Sequence, residues 1–422
     1  MSVLLGCVGD DSTGSTDLAN TLVKNGFRTV QLIGVPEKGL EVPEAECIVV
    51  ALKSRTAPIK EAVDESLQAM EWLQGAGAKQ FFFKYCSTFD STEEGNIGPV
   101  TEAMLAACDG DLTIVCPAFP ETGRSIYKGH LFVGDALLSD THMATHPLTP
   151  MTDSNLVRFL GKQTGLKVGL VQMSDVAKGA DAIRAAFDAL KADGVKIAVV
   201  DAIDDANLYA IGEACSDMKL LTGGSGVAMG LPENFRKAGD VGQVEAANVP
   251  AIAGPEAVIS GSCSAATLGQ IAYMEGKQPI WRINPADIAE GKDVVGEVMA
   301  WAEPFIGTQC PVIASSAAPE AVKAIQEKFG RMEAGEMIEN TFAEIAKQLV
   351  EKGVRRLVVA GGETSGAVVN ALGVKRLRIG AEIDPGVPCT VSLEAPNLAL
   401  ALKSGNFGGV DFFEKAFKVM PK

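Results

Sequence analysis

The chain has 422 residues, 47% hydrophobic and 21% charged, with 53 acidic against 37 basic side chains and a net charge of −16. That length exceeds one compact core and predicts two α/β domains of roughly 150–250 residues each. The acidic balance excludes nucleic acid and anionic membrane surfaces as partners, which need a basic stripe, so any anionic ligand must be held locally by backbone amides and a few Arg or Lys.

Short apolar runs at 3–8, 29–33, 47–52, 80–85, 112–116, 167–171 and 196–200 predict buried parallel strands. Amphipathic stretches at 61–74, 99–108, 174–192 and 205–215 predict the helices between them. The segment 237–255 is rich in Gly, Ala and Val, contains Pro250 and Pro255 and lacks a period, so it marks a boundary between domains at 1–245 and 256–422. Beyond it, strands are expected at 257–260, 312–315, 356–359 and 376–379, and helices at 318–329, 337–352 and 365–372. The expected fold class is α/β in two domains, each a mostly parallel sheet flanked by helices.

Nine cysteines are scattered singly and read as reduced thiols, with Cys7, Cys116 and Cys215 as core filler. The first strand follows Met1 without a basic leader and no run of about 18 apolar residues occurs, so a cytoplasmic location is expected.

The first strand runs into Gly9-Asp10-Asp11-Ser12-Thr13-Gly14-Ser15-Thr16-Asp17. The glycine spacing is that of a phosphate loop, but Ser15 stands where the lysine that reaches the β- and γ-phosphates belongs. Three carboxylates among four hydroxyls suit a metal or a polyol, and one of them could accept a proton. A turn that only caps a helix accounts for the same residues equally well.

Ser260-Gly261-Ser262-Cys263-Ser264 and Ala360-Gly361-Gly362-Glu363-Thr364-Ser365-Gly366 each follow an apolar strand and open a helix, the arrangement that turns backbone amides toward phosphate. A further turn at 403–409 either closes over the same ligand or is only a loop. In the first domain Arg55, Lys84 and Arg124 come at or just after strand ends, where Arg and Lys bind carboxylates; ion pairs with Asp10 or Asp90 are the structural alternative. His142 and His146, four apart, are read as loop histidines, since no Cys ligand is near and Pro147 follows. No G-x-G-x-x-G follows a strand with an acidic residue about 20 positions on, which disfavours a dinucleotide.

Together these strings resemble the four-carbon acid sugar kinase family, and within it the 3-oxo-tetronate kinases. The resemblance runs the length of the chain. It is carried by the 9–17 loop, by FKYCSTFDSTEEGNIGPV at 83–100, by His146-Pro147 with PMTDS at 150–154, by TGGSG at 222–226, by the 260–264 and 360–366 turns, and by LKSGNFG at 402–408. Ser12 and Ser15 stand where relatives are expected to carry Phe and Ala, a departure that bears on substrate choice and not on the reaction class.

The resemblance implies a sugar-acid-binding domain at 1–245, a nucleotide-binding domain at 256–422 and an active site in the interdomain cleft. It implies ATP-dependent phosphorylation of a 3-oxo-tetronate at its terminal hydroxyl, with Mg²⁺. Nucleotide contacts would fall on Ser262, Gly361, Gly362, Glu363, Thr364 and Gly405. Substrate contacts are assigned to Ser12, Arg55, Lys84, Thr88, Asp90 and Arg124, and Asp11 or Asp10 to the attacking hydroxyl. Metal ligands are left unassigned and a homodimer is left open. A D-threonate or D-erythronate kinase of the same family and a non-catalytic sugar-acid or nucleotide sensor are the competing readings.

Overall fold

The computed structural model describes residues 3–146, 148–242, 245–315 and 331–422, the last without the side chains of 331–334. Pro147 and the helix expected at 318–329 lie outside the described residues. The chain divides into two compact units, Met1–Ala246 and Ala247–Lys422. Each is an α/β layer structure, as the alternation of apolar runs and amphipathic stretches predicts.

In the first unit the strands β1 (Leu5–Gly9), β2 (Thr29–Ile33), β3 (Cys47–Ala51), β4 (Gln80–Lys84) and β5 (Thr113–Cys116) are followed by a small antiparallel meander, β6 (Arg124–Tyr127), β7 (His130–Val133) and β8 (Ala136–Leu137). The strands β9 (Val168–Val171), β10 (Ile197–Val200) and β11 (Leu220–Gly223) complete it. The main sheet has the order β2-β3-β1-β4-β11-β5-β10-β9 with every pairing parallel. β1, β3 and β4 are buried at every residue, the pattern of strands covered on both faces.

Chain order reverses at β1, which lies between β3 and β4. This topological switch point is where parallel α/β sheets collect their ligands, outside the carboxyl ends of the strands. Register brings those ends level, since Gly9 pairs with both Ala51 and Lys84.

The second unit has β12 (Glu256–Ser260), β13 (Ile280–Ile283), β14 (Val312–Ser315), β15 (Arg356–Ala360), β16 (Arg376–Asp384), β17 (Val387–Ser392) and β18 (Ala399–Lys403) in the order β13-β14-β12-β15-β18-β17-β16. The first five are parallel; β17 and β16 close the sheet antiparallel. Here too a switch point falls at β12, between β14 and β15, and register aligns Ser260 with Ala360 and Ala360 with Lys403. The core of this sheet is apolar, built from Val258, Ile271, Val312, Val358, Val391 and Phe412 among others.

Several elements depart from the periodicity reading. The stretch at 174–192 is two helices, Met173–Val176 and Ala180–Ala192, parted at Gly179 with φ 93°. The run at 376–379 extends to Asp384 and forms a hairpin with β17. The strands β11, β13, β17 and β18 and the β6–β8 meander were not expected, and the helix Ser12–Lys24 was expected only in the capping reading of the 9–17 loop. All nine cysteines are free, and Cys7, Cys116 and Cys215 are buried. Among the described residues no helix is long and apolar enough to cross a membrane.

Candidate active site

Two groups of loops form at the two switch points. In the first unit the backbone itself assembles them. The Asp10 amide donates to the Lys84 carbonyl at 3.0 Å, and the Leu52 amide to the Gly9 carbonyl at 2.9 Å. The Asp10 carbonyl accepts from the amides of Ser54 and Arg55 at 3.0 and 3.2 Å. Residues 45 and 74 positions apart in sequence are thereby held within a few ångströms.

Asp11 caps the helix Ser12–Lys24, its Oδ1 accepting from the Gly14 amide at 3.1 Å. The capping reading of this loop is therefore realised, but it does not exhaust the loop. Arg55 donates from Nε to Asp10 Oδ2 at 3.0 Å and from Nη2 to Asp10 Oδ1 at 2.9 Å and Asp11 Oδ1 at 2.7 Å. Its Nη1 stands 3.7 Å from Asp90 Oδ2. Burial pulls the Arg55 guanidinium down, but the Asp10 and Asp11 carboxylates outweigh that and hold it above its ordinary value. Asp11 Oδ2 accepts no hydrogen bond among the described residues, and the side chain is partly exposed. Asp10, by contrast, is buried with both oxygens engaged.

Lys84 is 3% exposed, and its Nζ makes one hydrogen bond among the described residues, to the Tyr85 carbonyl at 2.7 Å. The ammonium lies under the first turn of the Ser12–Lys24 helix, since a Cβ on Gly14 would come 2.8 Å from it. A buried cation with unused donors is costly unless an anion completes its shell. Asp17, on the second turn, partly supplies that charge and accepts from Ser225 Oγ at 2.5 Å. Burial pushes the Asp17 carboxyl up, against the pull of Lys84 and the Ser225 hydroxyl.

The 83–100 string folds over this floor. Thr88 Oγ1 donates to Asp90 Oδ1 at 2.5 Å, and Phe89 between them has φ 54°, a left-handed conformation that bulky residues rarely take. The Phe89 ring is buried edge-on against Tyr85 and Phe159, which holds the strained turn in place. Asn96 Nδ2 donates to the carbonyls of Ser54 and Ala57 at 2.7 and 2.9 Å and so pins the Arg55 loop. Gln163 reaches across to Ser91 Oγ and the Gly98 amide. Burial, reinforced by Asp90, pushes the Cys86 thiol up to about 11, which removes it as a nucleophile at neutral pH.

Asp10, Asp11, Arg55, Lys84, Thr88 and Asp90 thus share one cluster, with Ser12 as the first residue of the capped helix. Arg124 does not join it: Nη1 bonds the Thr122 carbonyl, and Nε is buried without a partner among the described residues. His146 Nδ1 accepts from the Thr149 amide at 3.1 Å, a loop contact. Sequence reasoning missed the Asp17–Ser225 pair, although both residues stood in strings it had singled out.

In the second unit the Gly261 amide donates to the Ala360 carbonyl at 3.0 Å and the Gly361 amide to the Lys403 carbonyl at 2.8 Å, which lines up the three turns. A Cβ on Gly261 would come 2.1 Å from Thr364 Oγ1, and one on Gly405 2.5 Å from Ser262 Oγ, so each glycine backbone takes the hydroxyl of a neighbouring turn where a side chain would otherwise stand. The helix Gly362–Ala371 starts from Gly361 at φ 123° with no side-chain cap. Its first-turn amides, at exposed Gly362 and Glu363, are left for another acceptor.

Comparison with known proteins accounts for this division of labour. Residues 5–231 match the family model of a sugar-binding N-terminal domain and residues 257–413 that of a nucleotide-binding C-terminal domain. The chain belongs to the four-carbon acid sugar kinase family. It is 57% identical over 420 residues to a 3-oxo-tetronate kinase of Cupriavidus necator, covering 98% of this chain and 96% of that protein. The 3-oxo-tetronate kinase of Haemophilus influenzae is 44% identical, over 98% of this chain and 99% of its own. Among solved structures, a Salmonella typhimurium LT2 protein superposes with TM-score 0.90 at 41% identity, covering 98% of each chain. A Haemophilus influenzae protein superposes at 0.86 and 43%, covering 98% of this chain and all of the other. In the terms of the family, the Asp10–Arg55–Lys84 cluster belongs to the sugar-binding domain and the three glycine turns to the nucleotide-binding one.

Proposed function

We propose that this chain is a 3-oxo-tetronate kinase, transferring the γ-phosphoryl group of ATP to the terminal hydroxyl of a 3-oxo-tetronate to give the 4-phosphate and ADP. The observation that carries the reading is the 57% identity, over nearly the whole of both chains, to a curated kinase of that name.

Phosphoryl transfer needs positioning and charge neutralisation more than covalent chemistry from the protein. The substrate carboxylate goes to Lys84, which has donors to spare, and to Nη1 of Arg55, whose Nε and Nη2 are already committed to Asp10 and Asp11. Asp11 rather than Asp10 orients the attacking hydroxyl and takes its proton, because Asp11 Oδ2 is the oxygen left open. Asp10 holds Arg55 in place. Thr88 and Asp90 face the same floor and bind the hydroxyls of the acid.

ATP phosphates fit the uncapped start of the helix Gly362–Ala371, with Ser262, Gly361, Thr364 and Gly405 closing around them. Mg²⁺ characteristically takes one or two carboxylates and completes its shell with water and phosphate oxygens. Among the described residues no group of three or more acidic, His or Cys side chains is placed to hold a metal, so the ion would come with the nucleotide, with Glu363 as the carboxylate in the first turn of that helix. Its chemistry there is neutralisation of phosphate charge.

The test is an ADP-release assay with Mg²⁺ on 3-oxo-tetronates, D-threonate, D-erythronate and no acid. Release with the 3-oxo acid alone supports the reading. Preference for a 3-hydroxy acid moves the chain to a sister kinase, and binding without turnover makes it a sensor.

A further inference from the structure

The nucleotide domain contains a buried lysine that no role above uses. Lys403 ends β18 and is 1% exposed. Its Nζ donates to Thr267 Oγ1 at 2.9 Å and to the carbonyls of Ser404 and Gly405 at 3.1 and 3.0 Å, so all three protons go to neutral acceptors. The Gly405 carbonyl also accepts from Ser264 Oγ and, at 2.8 Å, from Thr267 Oγ1. Three donors on one carbonyl fix that peptide beside Ser262, whose Oγ lies where a Cβ on Gly405 would come within 2.5 Å.

The charges around Lys403 leave it without a counter-ion. From the helix Ala265–Met274 it meets Thr267, and from the helix Phe412–Val419 the Phe412 ring, 6.0 Å away. On the adjacent strand β15 it pairs with Ala360. Asp384 is spent on Lys415 and the Gly409 amide. Glu363, Glu382, Asp411 and Glu414 are the other acids on these elements; Glu382 accepts from the Gly386 amide, and none of the four comes within ion-pair distance of Nζ among the described residues. An unpaired ammonium in a dry site calls for a negative group that the protein itself does not provide.

We propose that Lys403 is a positioning residue for the nucleotide, fixing the Gly405 turn while protonated and coupling phosphate binding to proton uptake at alkaline pH. The coupling rests on the reading of this domain as the ATP site. Burial lowers Lys403 to about 8, so the empty site loses the proton in the mildly alkaline range. A polyphosphate at the neighbouring turns favours the charged form, and by linkage the charged form favours the polyphosphate.

The experiment is calorimetric titration of the full chain with ATP and Mg²⁺ at pH 8.5, in two buffers of different ionisation enthalpy. Wild type is expected to take up a fraction of a proton on binding. Lys403→Met should take up none and bind ATP at least about tenfold more weakly, with a wild-type thermal melt as the control for folding. Lys403→Arg, charged at every pH, should abolish the rise in ATP dissociation constant between pH 7.5 and 9.5. Wild-type binding without proton uptake overturns the inference while leaving the ATP site standing, and it needs no variant to fold. The same uptake in Lys403→Met also overturns it. Failure of wild type to bind ATP rejects the nucleotide reading and this inference with it.

Discussion

Arg55 holds Asp10 through two parallel hydrogen bonds, Nε to Oδ2 at 3.0 Å and Nη2 to Oδ1 at 2.9 Å. The carboxylate side chain is 5% exposed and the guanidinium 23%. A fork of this kind costs two desolvations, and it is held at the loop ends of β1 and β3, where the main chain already brings the residues together.

Removing the arginine therefore leaves a buried anion. Arg55→Ala is expected to lower stability by about 3 kcal/mol at neutral pH, the cost of stranding one partner of a buried pair. Arg55→Lys should cost less but more than a conservative change elsewhere, because a lysine cannot reproduce the fork. Urea midpoints at pH 7 and pH 4.5 check both. The Ala penalty should shrink at the lower pH, where Asp10 can become neutral; an unchanged penalty would mean that the pair is not what holds the loop.

Asp17 gives a second pH signature, of defined sign. Burial raises this carboxyl above the 3.8 ordinary for an aspartate despite Lys84 and Ser225. A raised folded-state value means that the native state holds the proton more tightly than the unfolded chain. Its stabilising contribution is then complete below pH 3.8 and is lost as pH rises through the folded-state value. Asp17→Asn lacks that loss. Stability of the variant relative to wild type should improve from pH 4 to pH 7 in parallel urea titrations; a flat difference would contradict the raised value.

Gly405 tests the nucleotide turns. An added Cβ would come 2.5 Å from Ser262 Oγ and 3.2 Å from Ser264 Oγ, so the Ser262 hydroxyl that faces the turn, or the turn itself, must give way. Gly405→Ala is expected to raise the ATP dissociation constant at least about tenfold, or roughly 1.4 kcal/mol, and to leave sugar-acid affinity within about twofold. Titrating the two ligands separately distinguishes this from general unfolding, which would weaken both.

How much of this was legible depended on whether a contact is local. The 9–17 loop and the 83–100 string could be read because each packs many polar residues into a few positions at a strand end, and parallel register then brings Gly9 level with Ala51 and Lys84. The Ser12–Lys24 helix is legible only through its cap, because its first turn, Ser-Thr-Gly-Ser-Thr, is poor in helix formers and looks like loop. Asp17 with Ser225, 208 positions apart, and Gln163 with Ser91, 72 apart, follow from topology and leave no local mark. Of the β16–β17 hairpin only 376–379 reads as strand, because Val387–Ser392 is short and has a proline as its second residue. Lys403 could have been found: a lysine closing the apolar run ALALK is as out of place as Lys84 closing QFFFK.

The role of Asp11 can be separated from its role as a cap. Its Oδ1 already accepts from the Gly14 amide and from Arg55, and Oδ2 is the oxygen that remains for a substrate hydroxyl. Asparagine caps a helix about as well as aspartate, so Asp11→Asn should keep the helix Ser12–Lys24. It weakens one bond of a partly exposed ion pair with Arg55, whose Nε and Nη2 keep their hydrogen bonds to Asp10. Neither change touches ATP. What the amide cannot do is accept a proton. If Asp11 takes the proton of the attacking hydroxyl, turnover should fall by roughly a hundredfold or more at saturating substrate, with ATP affinity and thermal midpoint nearly unchanged. Steady-state kinetics on Asp11→Asn, beside Asp10→Asn, make the comparison. Because Asp10 has both oxygens on Arg55, its asparagine variant should lose stability as well as activity. Near wild-type turnover in Asp11→Asn would leave the residue a cap alone and pass the role to Asp90, the remaining carboxylate beside the Arg55 guanidinium.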